Sequence, residues 1–416
     1  MDLIDHILRL ILGRLDSPIW LIRAACTCKQ WHRIIADAGF LRRFHSVYTV
    51  VAGDYFNDSA LLCSLMGVGP RVRDRPSFVP APPSSSIDDR RFFLDFLPDD
   101  AGFPHCWTVV DSRGSLLLMN RTALRRPPSY GFPDLFVCEP AARTYKRIPP
   151  PPDFRGRGRC CYYMESYLVD GDGDMMGRRI GMSNFRVLCM FKKFSMAHMR
   201  TALFTVMFTA GGVSTGSSWS DDAQRLTVGS QANDHPIDPN LGFGMRHLGR
   251  AGGSWYFYIV GRKLIALDGG TGEFSYSVLP PPSEINWGDL DEHMWNNNFY
   301  VADGRDGEPR IFTVLSDTMK VFARLGGDGE WALEKSVELS KAAGGLPGYK
   351  QSFFDDDMTM NILTRGPGYV VLSPKTVERW LISVDLETME VAPVAEDMGL
   401  LVYRCEFPWP PALNAS

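Results

Sequence analysis

Thiol and imidazole groups lie close together near the start of the 416-residue chain, where Cys26, Cys28 and His32 fall within one short run. Such side chains can bind a metal ion, and a thiolate can act as a nucleophile. A single residue separates the two cysteines, however, whereas zinc sites use a longer spacer, and no second ligand pair follows at zinc-finger distance. The spacing therefore favours packing residues over a metal centre.

The run DGDGD, which begins at Asp170, is a second candidate for chemistry. Asp170, Asp172 and Asp174 match the first, third and fifth positions of a calcium-binding EF-hand loop. Met175 stands where that loop needs a glycine, and Gly181 stands where it needs a bidentate glutamate. We therefore expect the tip of a solvated hairpin rather than a calcium site.

The remaining side chains that could do chemistry are scattered along the chain. The sequence contains no phosphate-binding loop of the G-x-x-x-x-G-K-[ST] type, no H-E-x-x-H motif and no G-x-S-x-G motif. Lys192, Lys193 and Arg200 stand among aromatic residues, as in a nucleic-acid patch, but the formal net charge of -4 favours a solvated strand face. We predict no enzymatic activity, no cofactor, no metal and no nucleic-acid partner.

Aromatic residues could line a ligand pocket at Tyr162, Tyr163, residues 255–258 and Trp295. Aromatic side chains also favour strands and pack against their neighbours there. We therefore expect these residues in the core of a β domain.

The composition indicates a globular protein with many turns. Hydrophobic residues make up 45% of the chain, and it contains 39 glycines and 29 prolines. Its nine cysteines follow no regular framework, as is typical of free thiols in a reducing compartment. The sequence has no signal peptide and no apolar stretch of about 20 residues. We expect an intracellular protein, cytoplasmic, nuclear or both, with no membrane partner.

The first 45 residues have a helical pattern. Gly13 ends an apolar stripe at helical spacing, formed by Leu3, Ile4, Ile7, Leu8, Ile11 and Leu12. Pro18 suits the first position of a second helix, and a third is predicted over residues 28–35. Three short helices bury too little apolar surface to be stable alone, and they are apolar on more than one side. A partner surface is therefore expected.

This pattern resembles an F-box. The positions that carry the resemblance are Leu3, Ile7, Leu8, Ile11, Leu12, Arg14, Leu15, Leu21, Arg23, Cys28, Lys29, Trp31, Ile34 and Ile35. The resemblance implies docking on a Skp-type adaptor, and through it on a cullin scaffold, with a docking and packing set of Leu3, Ile4, Ile7, Leu8, Ile11, Leu15, Pro18, Leu21 and Trp31. Two departures stand out, because Ile4 replaces the usual proline and His6 replaces a common acidic residue.

Residues 46–416 show short apolar runs separated by turn residues. One sub-motif recurs at residues 134–153, 254–282 and 367–394: a strand ends in an acidic residue, a turn follows, a strand with an aromatic residue comes next, and Leu/Ile-Pro-Pro often closes it. The spacing falls in the range of about 40–50 residues typical of propeller blades. An irregular pair of β-sandwiches is the alternative. Segments 70–88, 95–106 and 211–222 are predicted as loops.

The β region resembles the F-box-associated, Kelch-like propeller of large plant F-box families, especially those of grasses. The resemblance implies an α + β multidomain fold, with a three-helix F-box at 1–45 and a mainly antiparallel β domain at 46–416. That domain is expected to be a β-propeller of six or seven blades. The implied function is a substrate-recognition subunit of a Skp-cullin-F-box ubiquitin ligase that binds a protein target. The alternatives are a propeller-based small-molecule sensor or enzyme, and an F-box scaffold that acts outside a ligase.

Overall fold

The fold was analysed on a computed structural model. It describes residues 3–14, 24, 27–35, 37, 40, 51–57, 75–80, 89–99, 105–123, 132–152, 161–169, 180–195, 200–211, 217–220, 224–228, 245–259, 263–277, 299–304, 306–315, 317–325, 330–354, 360–366, 368–374, 380–394 and 402–406, some of them by backbone alone.

The N-terminal region is helical, as its apolar spacing predicts. Helix α1 spans Leu3–Leu12 and helix α2 spans Lys29–Ile35. Gly13 follows α1 directly, and its amide donates to the Arg9 carbonyl at 3.0 Å. The second predicted helix lies mostly outside the described residues, although Ala24 within it is helical.

The rest of the described chain forms six antiparallel sheets, A to F. Their strands, in chain order, are β1 (Val51–Phe56) and β2 (Ser77–Pro80) of sheet A; β3 (His105–Arg113), β4 (Leu116–Ala123), β5 (Asp134–Glu139) and β6 (Thr144–Ile148) of sheet B; β7 (Cys161–Val169), β8 (Arg186–Ser195), β9 (Arg200–Thr209), β10 (Ser218–Trp219) and β11 (Gln224–Val228) of sheet C; β12 (Met245–Ala251), β13 (Ser254–Ile259), β14 (Lys263–Asp268) and β15 (Phe274–Ser277) of sheet D; β16 (Phe299–Asp303), β17 (Pro309–Leu315), β18 (Thr318–Leu325) and β19 (Glu330–Glu338) of sheet E; β20 (Asn361–Gly366), β21 (Tyr369–Ser373), β22 (Ile382–Asp385) and β23 (Val391–Pro393) of sheet F; and β24 (Val402–Glu406), which belongs to sheet A.

The fold is a six-blade β-propeller, which narrows the prediction of six or seven blades. Sheets B to F each use strands that follow one another along the chain, whereas sheet A joins the start of the β domain to its end. Strand β1 pairs with both β2 and β24, so that Tyr55 lies opposite Phe78 on one side and Tyr403 on the other. The sheets fall into two compact units, with A, B and part of C in the first and the rest of C with D, E and F in the second.

The recurrent sub-motif forms the last hairpin of sheets B, D and F. Glu139, Asp268 and Asp385 end the first strand of these hairpins. In sheets D and F the aspartate carboxylate accepts hydrogen bonds from the main-chain amides of the residues two and three positions after it, which fixes the turn. The sequence prediction of a strand, a turn and a second strand is confirmed in all three sheets.

The core of the first unit lies between sheets A and B. Its fully buried side chains include those of Tyr55, Trp107, Val109, Leu117 and Met119. The Tyr55 hydroxyl donates to the Phe92 carbonyl at 2.6 Å, so the segment before sheet B is tied to sheet A. Burial of this many apolar groups is the main favourable term in folding.

The second unit has cores between sheets D and E and between sheets E and F. Trp255, Tyr256, Phe257 and Tyr258 are all buried on β13, as predicted for core aromatics. Helix α3 (Leu339–Ala342) and a 3-10 turn at Gln351–Phe354 cover the core between sheets E and F.

All three segments predicted as loops contain strand residues, and in the segment 95–106 these are His105 and Cys106, which begin β3. Ser77–Pro80 forms β2 inside the segment predicted as a loop at 70–88, because it pairs with β1 and half-buries Phe78 in the core. Ser218–Trp219 forms β10 inside the segment predicted as a loop at 211–222, where it pairs with β9. Both β2 and β10 pair with the strand that precedes them in the chain, and this pairing overrides a local composition that is poor for packing.

Candidate functional site

The two N-terminal helices pack through a small set of apolar side chains. Leu12, Ile34 and Ile35 are each about 1% exposed, and Ala24 and Phe40 are also buried. Leu12 is the last residue of α1, and Ile34 and Ile35 are the last two residues of α2. This side of α1 is the internal side of the helical module.

Two polar clusters fix α1 against the rest of the module. The Asp5 carboxylate accepts from Arg33 at 2.8 Å and from Gln30 at 3.0 Å, both on α2. Arg9 donates to Asp37 at 2.9 Å, and the same carboxylate oxygen accepts from the Phe40 amide. Asp5 and Arg9 are one helical turn apart, so they hold a single face of α1.

The opposite face of α1 is apolar and exposed. Ile7, Leu10 and Ile11 are 48%, 58% and 53% exposed, and they are spaced three and four residues apart. Residues at this spacing form one stripe on a helix. The module therefore carries an apolar ridge, Ile7–Leu10–Ile11, on a helix whose other side is anchored.

The predicted docking residues have different places in the structure. Ile7 and Ile11 lie on the ridge, whereas Leu8 and Trp31 are half-buried. Leu3 and Ile4 lie within α1, but their side chains are outside the described set, as are Leu15, Pro18 and Leu21 entirely. The sequence reasoning missed Leu10, the most exposed apolar residue of the ridge.

Residues 5–46 match the protein-family model described as F-box-like. The chain carries an N-terminal F-box-like domain. The match includes all of α2 and most of α1, with the ridge among the matched residues.

No curated protein matches the chain. Among solved structures, it is similar to a protein from Lactobacillus plantarum, at 14% identity, with 71% of this chain and 86% of the other covered and a TM-score of 0.31. It is also similar to YCF48 bound to D1 peptide, at 9% identity, with 72% and 66% covered and a TM-score of 0.31. At these TM-scores neither structure informs the fold or the function.

The thiols and imidazole that suggested a metal centre are not assembled into one among the described residues. Cys28 is exposed, His32 is half-buried, and Cys26 lies outside the described residues together with the DGDGD run. Across the described part of the chain, no group of three or more histidine, cysteine, aspartate or glutamate side chains could hold a metal ion.

The buried thiols of the propeller are poor nucleophiles. Cys138, Cys189 and Cys405 are free and buried, and burial raises the pKa of each, to about 12 for Cys189. A thiol reacts as its thiolate, so these groups are inert near neutral pH.

Asp111 is the most perturbed described carboxyl group of the propeller. Its Oδ2 accepts from the Leu168 amide of β7 at 2.7 Å, and its Oδ1 accepts from the Ser112 amide. Burial raises its pKa to about 7, against the lowering effect of these hydrogen bonds and of Arg113. Asp111 therefore ties sheet B to sheet C.

Among the described residues, no helix combines the length and the apolar character that a membrane crossing requires.

Proposed function

We propose that this protein is a substrate-recognition subunit of a Skp-cullin-F-box ubiquitin ligase. The F-box-like domain docks on a Skp-type adaptor, which links it to the cullin scaffold, and the propeller binds a target protein. A conjugating enzyme bound elsewhere in the complex supplies the ubiquitin. The chain then contributes effective concentration and orientation, not a catalytic group, and it works inside the cell.

The exposed Ile7–Leu10–Ile11 ridge is the observation that carries this proposal. An apolar helix face with anchors three and four residues apart suits a groove in a partner protein. Exposed apolar surface of this kind is also costly to leave in water. Leu3, Ile4, Leu15, Pro18 and Leu21 remain predicted members of the docking set.

A pull-down of the full chain with a purified Skp-type adaptor tests the proposal. Ile7→Asp combined with Ile11→Asp places two charges on the ridge, and we expect this variant to lose binding. Leu333→Asp is the matched control, because Leu333 is an exposed apolar residue of sheet E. The proposal fails if the wild type does not bind, and the ridge is not the docking surface if the double variant binds like the control.

A further inference from the structure

The last hairpin of sheet B differs in charge from its two structural equivalents. Residues 143, 146 and 147 correspond in register to residues 272, 275 and 276 of sheet D and to residues 389, 392 and 393 of sheet F. Sheet B has Arg143, Lys146 and Arg147 at these positions, sheet D has glycine, serine and tyrosine, and sheet F has methionine, alanine and proline. The hairpin therefore folds without these cations, which points to a role for them beyond folding.

Arg147 is held in place with most of its guanidinium group in solvent. Its Nε donates to Asp134 at 2.8 Å, and the group lies 6.0 Å from the centre of the Phe136 ring. Asp134 also accepts from Arg121 at 2.7 Å, so one carboxylate serves two cations. The Arg147 side chain is 65% exposed, and within the described residues its other nitrogens have no acceptor.

Arg143 occupies a similar setting beside a neighbouring segment. It pairs with Asp95 at 2.8 Å and lies 5.3 Å from the centre of the Phe96 ring. Phe93 is the extended residue that directly precedes the 3-10 turn Leu94–Phe96. Its side chain is exposed, whereas Leu94 and Leu97 are buried.

Tyr145 is two residues from each arginine in the sequence. It lies between them on the edge strand β6, and strand periodicity places it on the same face as Arg147. Its ring, which is exposed, contacts Phe136 at 6.0 Å between centroids, and Phe136 is the ring over which Arg147 lies. The Arg143–Phe96 pair and the Tyr145–Phe136–Arg147 group belong to one hairpin and the segment beside it, and Phe93, Phe96, Arg143, Tyr145 and Arg147 are named here the arginine–aromatic patch.

We propose that the arginine–aromatic patch binds an acidic segment of a partner protein. Arginine binds carboxylates with paired hydrogen bonds, and here both guanidinium groups are pre-oriented by a carboxylate and an aromatic ring. Exposed tyrosine and arginine are the residues that most often dominate the energy of protein interfaces. Phe93 and Tyr145 accept apolar side chains placed between the acidic residues. Only the identity of the partner as a ubiquitination target rests on the proposed function.

Fluorescence anisotropy with a short labelled peptide, in which glutamate alternates with leucine, tests this without an adaptor. A twin peptide with glutamine in place of glutamate reports the contribution of charge. We expect the full chain to bind the glutamate peptide about tenfold or more tightly than its twin, and added salt to weaken this binding. The double variant Arg143→Gln, Arg147→Gln should remove the difference between the peptides.

Arg33→Gln is the matched control, because Arg33 is also largely exposed, at 70%, and also pairs with one carboxylate at 2.8 Å. It should leave peptide binding unchanged. The proposal is overturned if the glutamate peptide does not bind, if both peptides bind equally, or if the double variant binds like the control. Because no adaptor is present, failure of this test leaves the adaptor pull-down unaffected, and the reverse also holds.

Discussion

Asp111 links sheet B to sheet C, and its protonation affects the free energy of unfolding of the propeller. Asp111 is half-buried, and its carboxylate accepts two main-chain hydrogen bonds. Burial dominates, so the folded-state pKa of about 7 lies above the ordinary value of 3.8. The folded protein therefore keeps a proton that the unfolded chain has released between these values.

We expect Asp111 to make the protein less stable as pH rises from about 4 to about 7. Over this range the free energy of unfolding should fall by at most about 1.4 kcal/mol per pH unit through this group. Urea unfolding of the wild type and Asp111→Asn across this range measures the effect. As pH rises, the free energy of unfolding of the wild type should fall relative to that of Asp111→Asn. Parallel pH profiles of the two proteins would contradict a raised pKa for Asp111.

Gly53 is required by a close approach between strands. A Cβ atom at this position would overlap the Val79 carbonyl oxygen and lie 2.5 Å from the Phe78 ring. Gly53→Ala should therefore destabilise the protein by about 1–3 kcal/mol in denaturant unfolding. Gly181→Ala is the control, since the nearest atom there is 3.6 Å away, and equal stability of the two variants would sink this explanation.

At the residue scale, the sequence predicts that residues 3–12 form an apolar helix, but it does not predict which of the apolar side chains are buried. The apolar stripe read from residues 3–12 combines Ile7 and Ile11, which are exposed, with Leu12, which is buried. Leu10 is not part of the predicted apolar stripe, because the other six apolar residues already form a stripe at helical spacing. The polar contacts of Asp5 and Arg9 decide which side faces inward, and their partners are more than 20 residues away in sequence.

Helix α1 has two faces with separable roles, and substitutions should separate them. Leu12→Ala removes a buried side chain and should destabilise the helical module by about 2–5 kcal/mol. Ile11→Ala should leave the module intact but weaken adaptor binding, because Ile11 lies on the ridge. Hydrogen exchange of the α1 amides reports the first effect and adaptor titration the second. The account fails if Ile11→Ala accelerates exchange as much as Leu12→Ala does.

At the element scale, local chemistry explains why the last hairpins of sheets D and F are predictable from sequence. An acidic residue that ends a strand caps the following turn, and this interaction is contained within a few residues of sequence. The sequence does not predict strands β2 and β10, because it is their pairing with β1 and β9 that holds these segments extended.

The whole molecule depends on a strand from the C-terminal region. Strand β24 pairs with β1, and the Glu406 amide donates to the Gly114 carbonyl of sheet B at 2.8 Å. Cys405 of the same strand is buried in the core between sheets A and B. The blade count could not be fixed from sequence because the strands of sheet A are separated by the other five sheets.

Removal of residues 402–416 should therefore abolish cooperative unfolding of the first unit. It would leave the edge of β1 that faces β24 unpaired and open the core between sheets A and B. Removal of residues 407–416 alone is the control and should leave the thermal transition in place. Circular dichroism melts and protease resistance of both truncations measure this, and indistinguishable melts would show that β24 does not complete the fold.

The central claim is that the Ile7–Leu10–Ile11 ridge docks the protein on a Skp-type adaptor. Calorimetric titration of the full chain with a purified adaptor, beside Leu10→Asp, tests it most directly, because Leu10 is on the ridge and is 58% exposed. We predict one adaptor per chain and a loss of affinity of about tenfold or more in the variant. Unchanged affinity in Leu10→Asp, or no binding by the wild type, would contradict the account.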